Sequence, residues 1–428
     1  MTTRLVIPLL SVAITLGVAG CSGSDNGQTP TPTPPPPAVA AIDVTLDVSK
    51  TYQTIVGFGG FGAQNVYWSN GPFTSARFVR DIADDLRCTI IRDDMPTSFE
   101  ITNDNDDPMV TDLSKFNLNT SVPGHHVPFG PCIPHLKALC EAGVQTFIAS
   151  VWSPAPWMKW NNRVGNGTSS NSAPAYSRTP NSSTNQLKVE NYEEFAESCV
   201  AYCRIFKREI GMDLYALSVQ NEPRFSQSYQ SCLYDGEALR DVIKVVGRRF
   251  KKEGLTTKLF MPEEVGWLGG VQAMTLPTLN DPEARSYVGL VATHGYAFDG
   301  IQPASTHSAT WQTMYGWGQP YNLPLWMTET SGYKNNNDGA IDLAKAMYTA
   351  LRHGNIETWV FWSLSEENAS EYSLITSNGV KSKRYFASKQ YYRYVRPGAI
   401  RVETATSDAD LLPLAFTKNG LPRWSSRT

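Results

Sequence analysis

Short apolar runs at residues 55–60, 88–92, 146–150, 214–220, 258–262, 290–294, 325–328 and 358–362 read as buried strands. Longer amphipathic patterns fall between them, at 74–86, 131–142, 191–210, 236–252, 304–315 and 338–352, with another after Gly269. Within 191–210 the apolar Tyr192, Phe195, Ala196, Cys199, Val200, Cys203 and Phe206 recur at helical spacing. Eight strand-then-helix units predict a (β/α)8 barrel, with an open doubly wound sheet as the alternative. Gly57-Phe-Gly-Gly60 does not support a nucleotide loop, because the G-x-G-x-x-G spacing is missing.

Two edges lie outside that repeat. Residues 42–48 alternate like a strand, and 399–404 and 412–416 look like further strands after the last helix. Together they predict a small β side domain, incomplete because three strands make a poor independent sheet. Residues 420–428 show no readable pattern. The expected organisation is a leader at 1–20, a linker at 21–41, a first side-domain strand at 42–50, the barrel at 51–396 and the rest of the side domain at 397–428.

The leader has a basic start at Arg4, an apolar core from Leu5 to Val18, and the ending Val18-Ala19-Gly20-Cys21. That ending resembles a bacterial lipobox, which would make Cys21 a lipidated residue and hold the protein at a membrane surface. Thr-Pro repeats and Pro34-Pro-Pro-Pro37 follow, a composition suited to an extended tether. No later apolar run is long enough to span a bilayer. Export permits disulfides, but the scatter of Cys88, Cys132, Cys140, Cys199, Cys203 and Cys232 fixes no pairing, so buried free thiols are expected. A formal charge of −3 offers no reason to expect a nucleic-acid partner. The expected state is a monomer.

In a (β/α)8 barrel the chemistry sits where strands end. Those ends carry Arg92, Trp152, Asn221 with Glu222, His294 with Tyr296, Glu329 and Trp362. Aromatic platforms, carboxylates and hydrogen-bonding groups are what a sugar requires. Two carboxyl groups flanking a glycosidic bond can divide its hydrolysis, one protonating the leaving oxygen and the other attacking or activating water. Glu222 and Glu329 end the fourth and seventh strands, on opposite sides of the mouth. No cofactor or metal is needed for this chemistry.

Asn221-Glu222-Pro223 and Thr328-Glu329 resemble the retaining glycoside hydrolases of the (β/α)8 clan. Gly57-Phe-Gly-Gly60, Trp152-Ser-Pro-Ala-Pro-Trp-Met-Lys159 and Tyr394-Val-Arg-Pro-Gly-Ala-Ile-Arg401 narrow the resemblance to glycoside hydrolase family 30. The resemblance implies a barrel joined to a β-sandwich. It also implies that Glu222 is the general acid/base and Glu329 the nucleophile. Arg92 would then steady the nucleophile, Asn221 would bond the sugar 2-hydroxyl, and His294 and Tyr296 would lie close to the nucleophile. Trp152 and Trp362 would form the floor and wall of a subsite. The roles require a raised pKa on the acid and an ionised nucleophile.

The family acts on glucosylceramide, β-1,6-glucan, β-1,6-galactan and xylan, some of it glucuronate-bearing. The loop after the eighth strand, Ser363-Leu-Ser-Glu-Glu-Asn-Ala-Ser-Glu-Tyr372, holds three acids and no arginine, which argues against a bound uronate. The polar stretch 165–186 could wall the cleft. The expected activity is endo-hydrolysis of a β-linked polysaccharide. The alternatives are a tethered glycan-binding protein on a decayed barrel and a glucosylceramidase-like exo-enzyme.

Overall fold

A computed structural model describes residues 2–7, 42–62, 76–120, 128–265, 269–296, 307–332, 334–419 and 421–425. The strands in chain order are β1 Thr2–Ile7, β2 Ile42–Thr54, β3 Gly57–Phe61, β4 Ile90–Met95, β5 Thr146–Val151, β6 Ala216–Ser218, β7 Lys258–Glu264, β8 Val288–His294, β9 Leu325–Glu329, β10 Thr358–Phe361, β11 Ser365–Glu366, β12 Ile375–Thr376, β13 Ile400–Thr406, β14 Leu414–Lys418 and β15 Leu421–Ser425. β3 to β10 form a closed parallel barrel, sealed by β10 pairing with β3 from Thr358 opposite Gly57 to Phe361 opposite Gly60. Closure rules out the open sheet. The fourth strand is shorter than the 214–220 run suggested, because only Ala216–Ser218 find ladder partners before the chain turns into the mouth.

Side-chain alternation explains how the barrel fills and where its polar residues fall. Ile90, Ile148, Ala216, Phe260, Leu290, Ala292, Trp326 and Val360 form one apolar cluster in the barrel interior. Their neighbours Ile91, Phe147, Leu217, Leu259, Val291, Met327 and Trp359 belong to the larger cluster under the helices. Two residues beyond the floor, the same parity brings up Arg92, Ser150, Ser218 and His294. The polar layer therefore stands directly on the apolar one, at the C-terminal mouth.

Most helices lie where expected, but Pro282–Tyr287 and Lys383–Tyr392 add two that the apolar spacing did not predict, and the expected 304–315 helix is observed as Ser308–Gly318. Tyr192–Ile210 opens with Glu193 and Glu194 and closes at the left-handed Gly211, φ 83°. Gly236–Lys252 is capped by Asp235, whose carboxylate accepts from the Ala238 amide. Acids in a first turn and a side-chain acceptor at the cap both complement the free amides of a helix start. No helix among the described residues is long and apolar enough to cross a membrane.

Beside the barrel the described residues form one antiparallel sheet, in the order β1-β2-β13-β14-β15, and among them no second sheet faces it. Its small core comprises Val44, Leu46, Val402, Leu411 and Ala415. Fully buried Arg401 joins it to the barrel, donating to Gln53 Oε1 and Asn355 Oδ1, each at 2.9 Å, beneath the Tyr52 ring at 3.7 Å. The patternless tail proves to contain β15, paired with β14 from Leu421 opposite Lys418 to Ser425 opposite Leu414. Thr2–Ile7, within the expected leader, pairs with the other edge. Cys21 and the linker lie outside the described residues. The other six cysteines are free thiols, all buried except the half-buried Cys140.

Candidate active site

Arg92 is the hub of the polar layer. Its guanidinium is fully buried and donates from Nη1 to Glu329 Oε2 at 2.6 Å, from Nη2 to Asn221 Oδ1 at 2.7 Å, and from Nε to Ser150 Oγ at 3.1 Å. Nη2 also lies 3.1 Å from Glu263 Oε1. Above it sits the Trp152 ring, 4.7 Å from Cζ. A fork of five donors on a planar cation suits this multiple grip.

Two carboxylates enter the layer only because local geometry reverses the strand alternation. By parity with Trp326 and Thr328, Glu329 would face outward. The β8–β9 register slips between Thr293 and His294, however, so that His294 pairs with Glu329 and Glu329 turns inward. A second slip, between Pro262 and Glu264, coincides with a left-handed Glu263 at φ 52° and brings Glu263 beneath Arg92 and His294. Glu222 is left-handed as well, φ 47°. Such a backbone costs a non-glycine residue on the order of 1 kcal/mol or more, and such costs concentrate at working sites.

His294 links the three acids. Nδ1 lies 3.1 Å from Glu222 Oε1 and 3.8 Å from Glu329 Oε2, and Nε2 lies 3.4 Å from Glu263 Oε1. Burial works against charge on the imidazole, but Glu329, Glu222 and Glu263 outweigh it and push His294 from 6.5 up to about 9. Burial alone would raise Glu263, yet Arg92 and His294 hold it at about 2. Glu222 is raised by burial, helped by Glu329's charge and opposed by its bond to His294. Burial and the charges of Glu329 and Glu222 push the Tyr296 phenol well above its usual range.

The raised His294 makes a prediction about stability. Its contribution is fully present below pH 6.5, the ordinary value, and is lost as pH rises through about 9. Denaturant stability is expected to fall across that window in the wild type. A His294→Gln variant should flatten the fall; an equal slope in both would contradict the assignment.

All eight residues expected at the site are brought together here, and Cys21 alone lies outside the described residues. Phe61 stacks on Trp362 with centroids 4.2 Å apart and meets Trp152 edge-on at 5.6 Å, completing an aromatic cluster that strand reading did not include. Gln227, also missed, donates to Glu222 Oε2 at 3.0 Å. The 165–186 stretch fixes that glutamine's loop, with Asn166 N donating to Gln227 O at 2.9 Å and Ser172 pairing with Ser226.

No family model matches the chain. Glucuronoxylanase XynC of Bacillus subtilis is 25% identical over 392 residues, covering 88% of this chain and 76% of that protein. An endo-1,6-β-D-glucanase of Aspergillus fumigatus is 26% identical over 263 residues, 57% of this chain and half of its own length. Among solved structures, the family 30 xylanase Xyn30A of Clostridium acetobutylicum superposes with a TM-score of 0.66 at 23% identity, covering 87% of this chain and 81% of that one. The chain thus resembles glycan hydrolases in sequence and a family 30 xylanase in fold. In that fold Glu222, Glu329 and their hub Arg92 stand together in the barrel mouth, joined through His294 and the Arg92 guanidinium.

Proposed function

We propose that the chain is an endo-acting retaining β-glycanase, with Glu329 as nucleophile and Glu222 as general acid/base. The observation that carries this is the short gap between the two: one oxygen of each, with a nitrogen of His294, lie within 4.8 Å of one another. Retaining enzymes hold their carboxyl groups about 5–5.5 Å apart, whereas inverting ones need about 6.5–9.5 Å to admit a water.

In the first step a Glu329 oxygen bonds to the anomeric carbon while the bond to the leaving oxygen breaks, and Glu222 gives that oxygen its proton. In the second, Glu222 takes a proton from water, whose oxygen displaces Glu329. Burial raises Glu222, which suits an acid that must hold its proton until needed. Arg92 holds both Glu329 and Asn221, so the nucleophile and the amide facing the 2-hydroxyl are positioned by one group. Trp152, Phe61 and Trp362 supply the ring-stacking faces.

The substrate is read as a neutral β-linked polysaccharide. In the loop after β10, Glu366 is tied to Ser370 and Glu367 is exposed. Arg384 lies beneath that loop, fully buried, with Nη1 and Nη2 donating to the Glu371 and Ser370 carbonyls. That leaves it unavailable to a glucuronate. The relatives' names support a xylan or β-1,6-glucan backbone. The lipobox-like ending at Cys21 supports export and a lipid anchor.

Following hydrolysis of xylan, β-1,6-glucan and β-1,6-galactan by proton NMR tests the reading. The first anomer formed should be β, with oligosaccharides as the products. An α-anomer appearing first would overturn the mechanism. Activity confined to glucuronate-bearing xylan would overturn the substrate assignment.

A further inference from the structure

The loop after β4 and the head of the helix Tyr192–Ile210 bring together acids that play no part in the chemistry above. Glu100, Asp104 and Glu194 each place one carboxylate oxygen within 4.8 Å of the others'. In each, a donor holds one oxygen and leaves the second free. Ser198 Oγ donates to Glu100 Oε2, the Asp112 amide to Asp104 Oδ2 at 2.9 Å, and Asn103 Nδ2 to Glu194 Oε1 at 3.4 Å. Glu100 Oε1, Asp104 Oδ1 and Glu194 Oε2 are buried and accept no hydrogen bond.

That arrangement is costly for an apo protein. Glu100 is only 2% exposed, and fully buried Glu197 lies on the same helix one residue before Ser198. Among the described residues no lysine or arginine forms an ion pair with these four acids. Arg249, the cation facing Glu197, is engaged by Glu253 at 3.0 Å and by Thr111 at 3.1 Å. Buried carboxylates without a counter-charge must either take up protons or receive a cation. Burial and the neighbouring acids raise Glu100 and Glu194, in keeping with a missing positive charge.

We propose that Glu100, Asp104 and Glu194 form a calcium-class divalent-cation site tying the loop after β4 to the Tyr192–Ile210 helix. The donors are all oxygen, which selects a hard cation over zinc or copper. Calcium bonds to oxygen at about 2.3–2.6 Å, so donors on opposite sides of the ion stand about 4.6–5.2 Å apart. The three oxygens lie within 4.8 Å of one another, close enough for one cation to bridge, and calcium's flexible coordination suits such a mixed set better than magnesium, which demands a near-ideal octahedron. A cavity of about 10 Å³ bounded by Thr97, Ser153 and Ser198 borders Glu100, room for a single water at most. Because the Trp157 indole donates to the Glu100 carbonyl at 3.2 Å, the ion would also brace the loop after β5.

Scanning and titration calorimetry of the full chain, stripped with a chelator and then given calcium chloride, test the site. With calcium about 100-fold above its Kd, Tm should rise by about 3–5 °C, with one ion bound. Magnesium chloride at the same concentration should do less. E194Q and D104N should each lose the rise, and D104N decides the matter if E194Q does not fold. The proposal fails if calcium leaves the wild-type Tm unchanged, or if both variants keep the full shift. It also fails if E100Q stabilises the chain at pH 8 while calcium has no effect, since the cluster would then be holding protons.

Discussion

Glu329→Gln is expected to lower kcat on an aryl β-glycoside by a factor on the order of 10⁴–10⁶, the range lost when an enzyme is deprived of its nucleophile. The amide keeps the shape and can still accept from Arg92 Nη1, which now reaches Glu329 Oε2 at 2.6 Å, so loss of folding does not account for the effect. The two glutamates should also be separable by what azide does to their alanine variants. In Glu329→Ala, azide can enter the vacated α face and attack the anomeric carbon directly, giving an α-glycosyl azide. In Glu222→Ala, a good aryl leaving group departs without its proton, the glycosyl-enzyme accumulates, and azide releases it as the β-glycosyl azide. If the anomers came out exchanged, the roles would be exchanged. If Glu329→Gln still turned over at the wild-type rate, the catalytic reading would fall, and a glycan-binding protein would be the reading left. The pH profile should agree: kcat/KM falls as pH rises through the raised value of Glu222, and that limb disappears in Glu222→Ala.

Regular alternation carried much of this site into view from the sequence. Arg92 and His294 stand two residues beyond Ile90 and Ala292 of the barrel floor, so a reader who finds the strands finds them too. Glu329 and Glu222 could be placed at strand ends, but not aimed. One turns inward through a register slip and the other through a left-handed backbone, and neither is written in hydrophobic periodicity. Glu263 shows what that costs the reader. It needs both devices to reach Arg92 and His294, and strand parity alone points it away. Gln227 reaches Glu222 from a loop held by Asn166 and Ser172, contacts that exist only once the chain has folded. Phe61 had a signal, since it directly follows the Gly57–Gly60 motif at the end of the first barrel strand. The side sheet fell short for a related reason: Leu421-Pro-Arg-Trp-Ser425 is an edge strand, where proline is tolerated and alternation is weak.

Arg92→Met should be the most destabilising single change in the barrel mouth. The residue is fully buried and answers two carboxylates, Glu329 at 2.6 Å and Glu263 at 3.1 Å, so its loss leaves buried charge without a partner. Breaking such a group by removing one side typically costs about 3–5 kcal/mol, well above what a neutral large-to-large exchange would cost. The pH dependence distinguishes this cause from simple misfit. Glu263 is held at about 2 chiefly by Arg92 and His294, working against burial. A depressed carboxylate contributes stability that is present above its ordinary value of 4.5 and is lost as pH falls toward 2. Without Arg92, Glu263 climbs and that contribution shrinks. The gap between wild type and variant should therefore be widest at neutral pH and narrow as pH falls through the carboxylate range. Urea midpoints at pH 7 and pH 4 measure it. An equal gap at both values would mean that Arg92 acts here through packing under Trp152, not through charge.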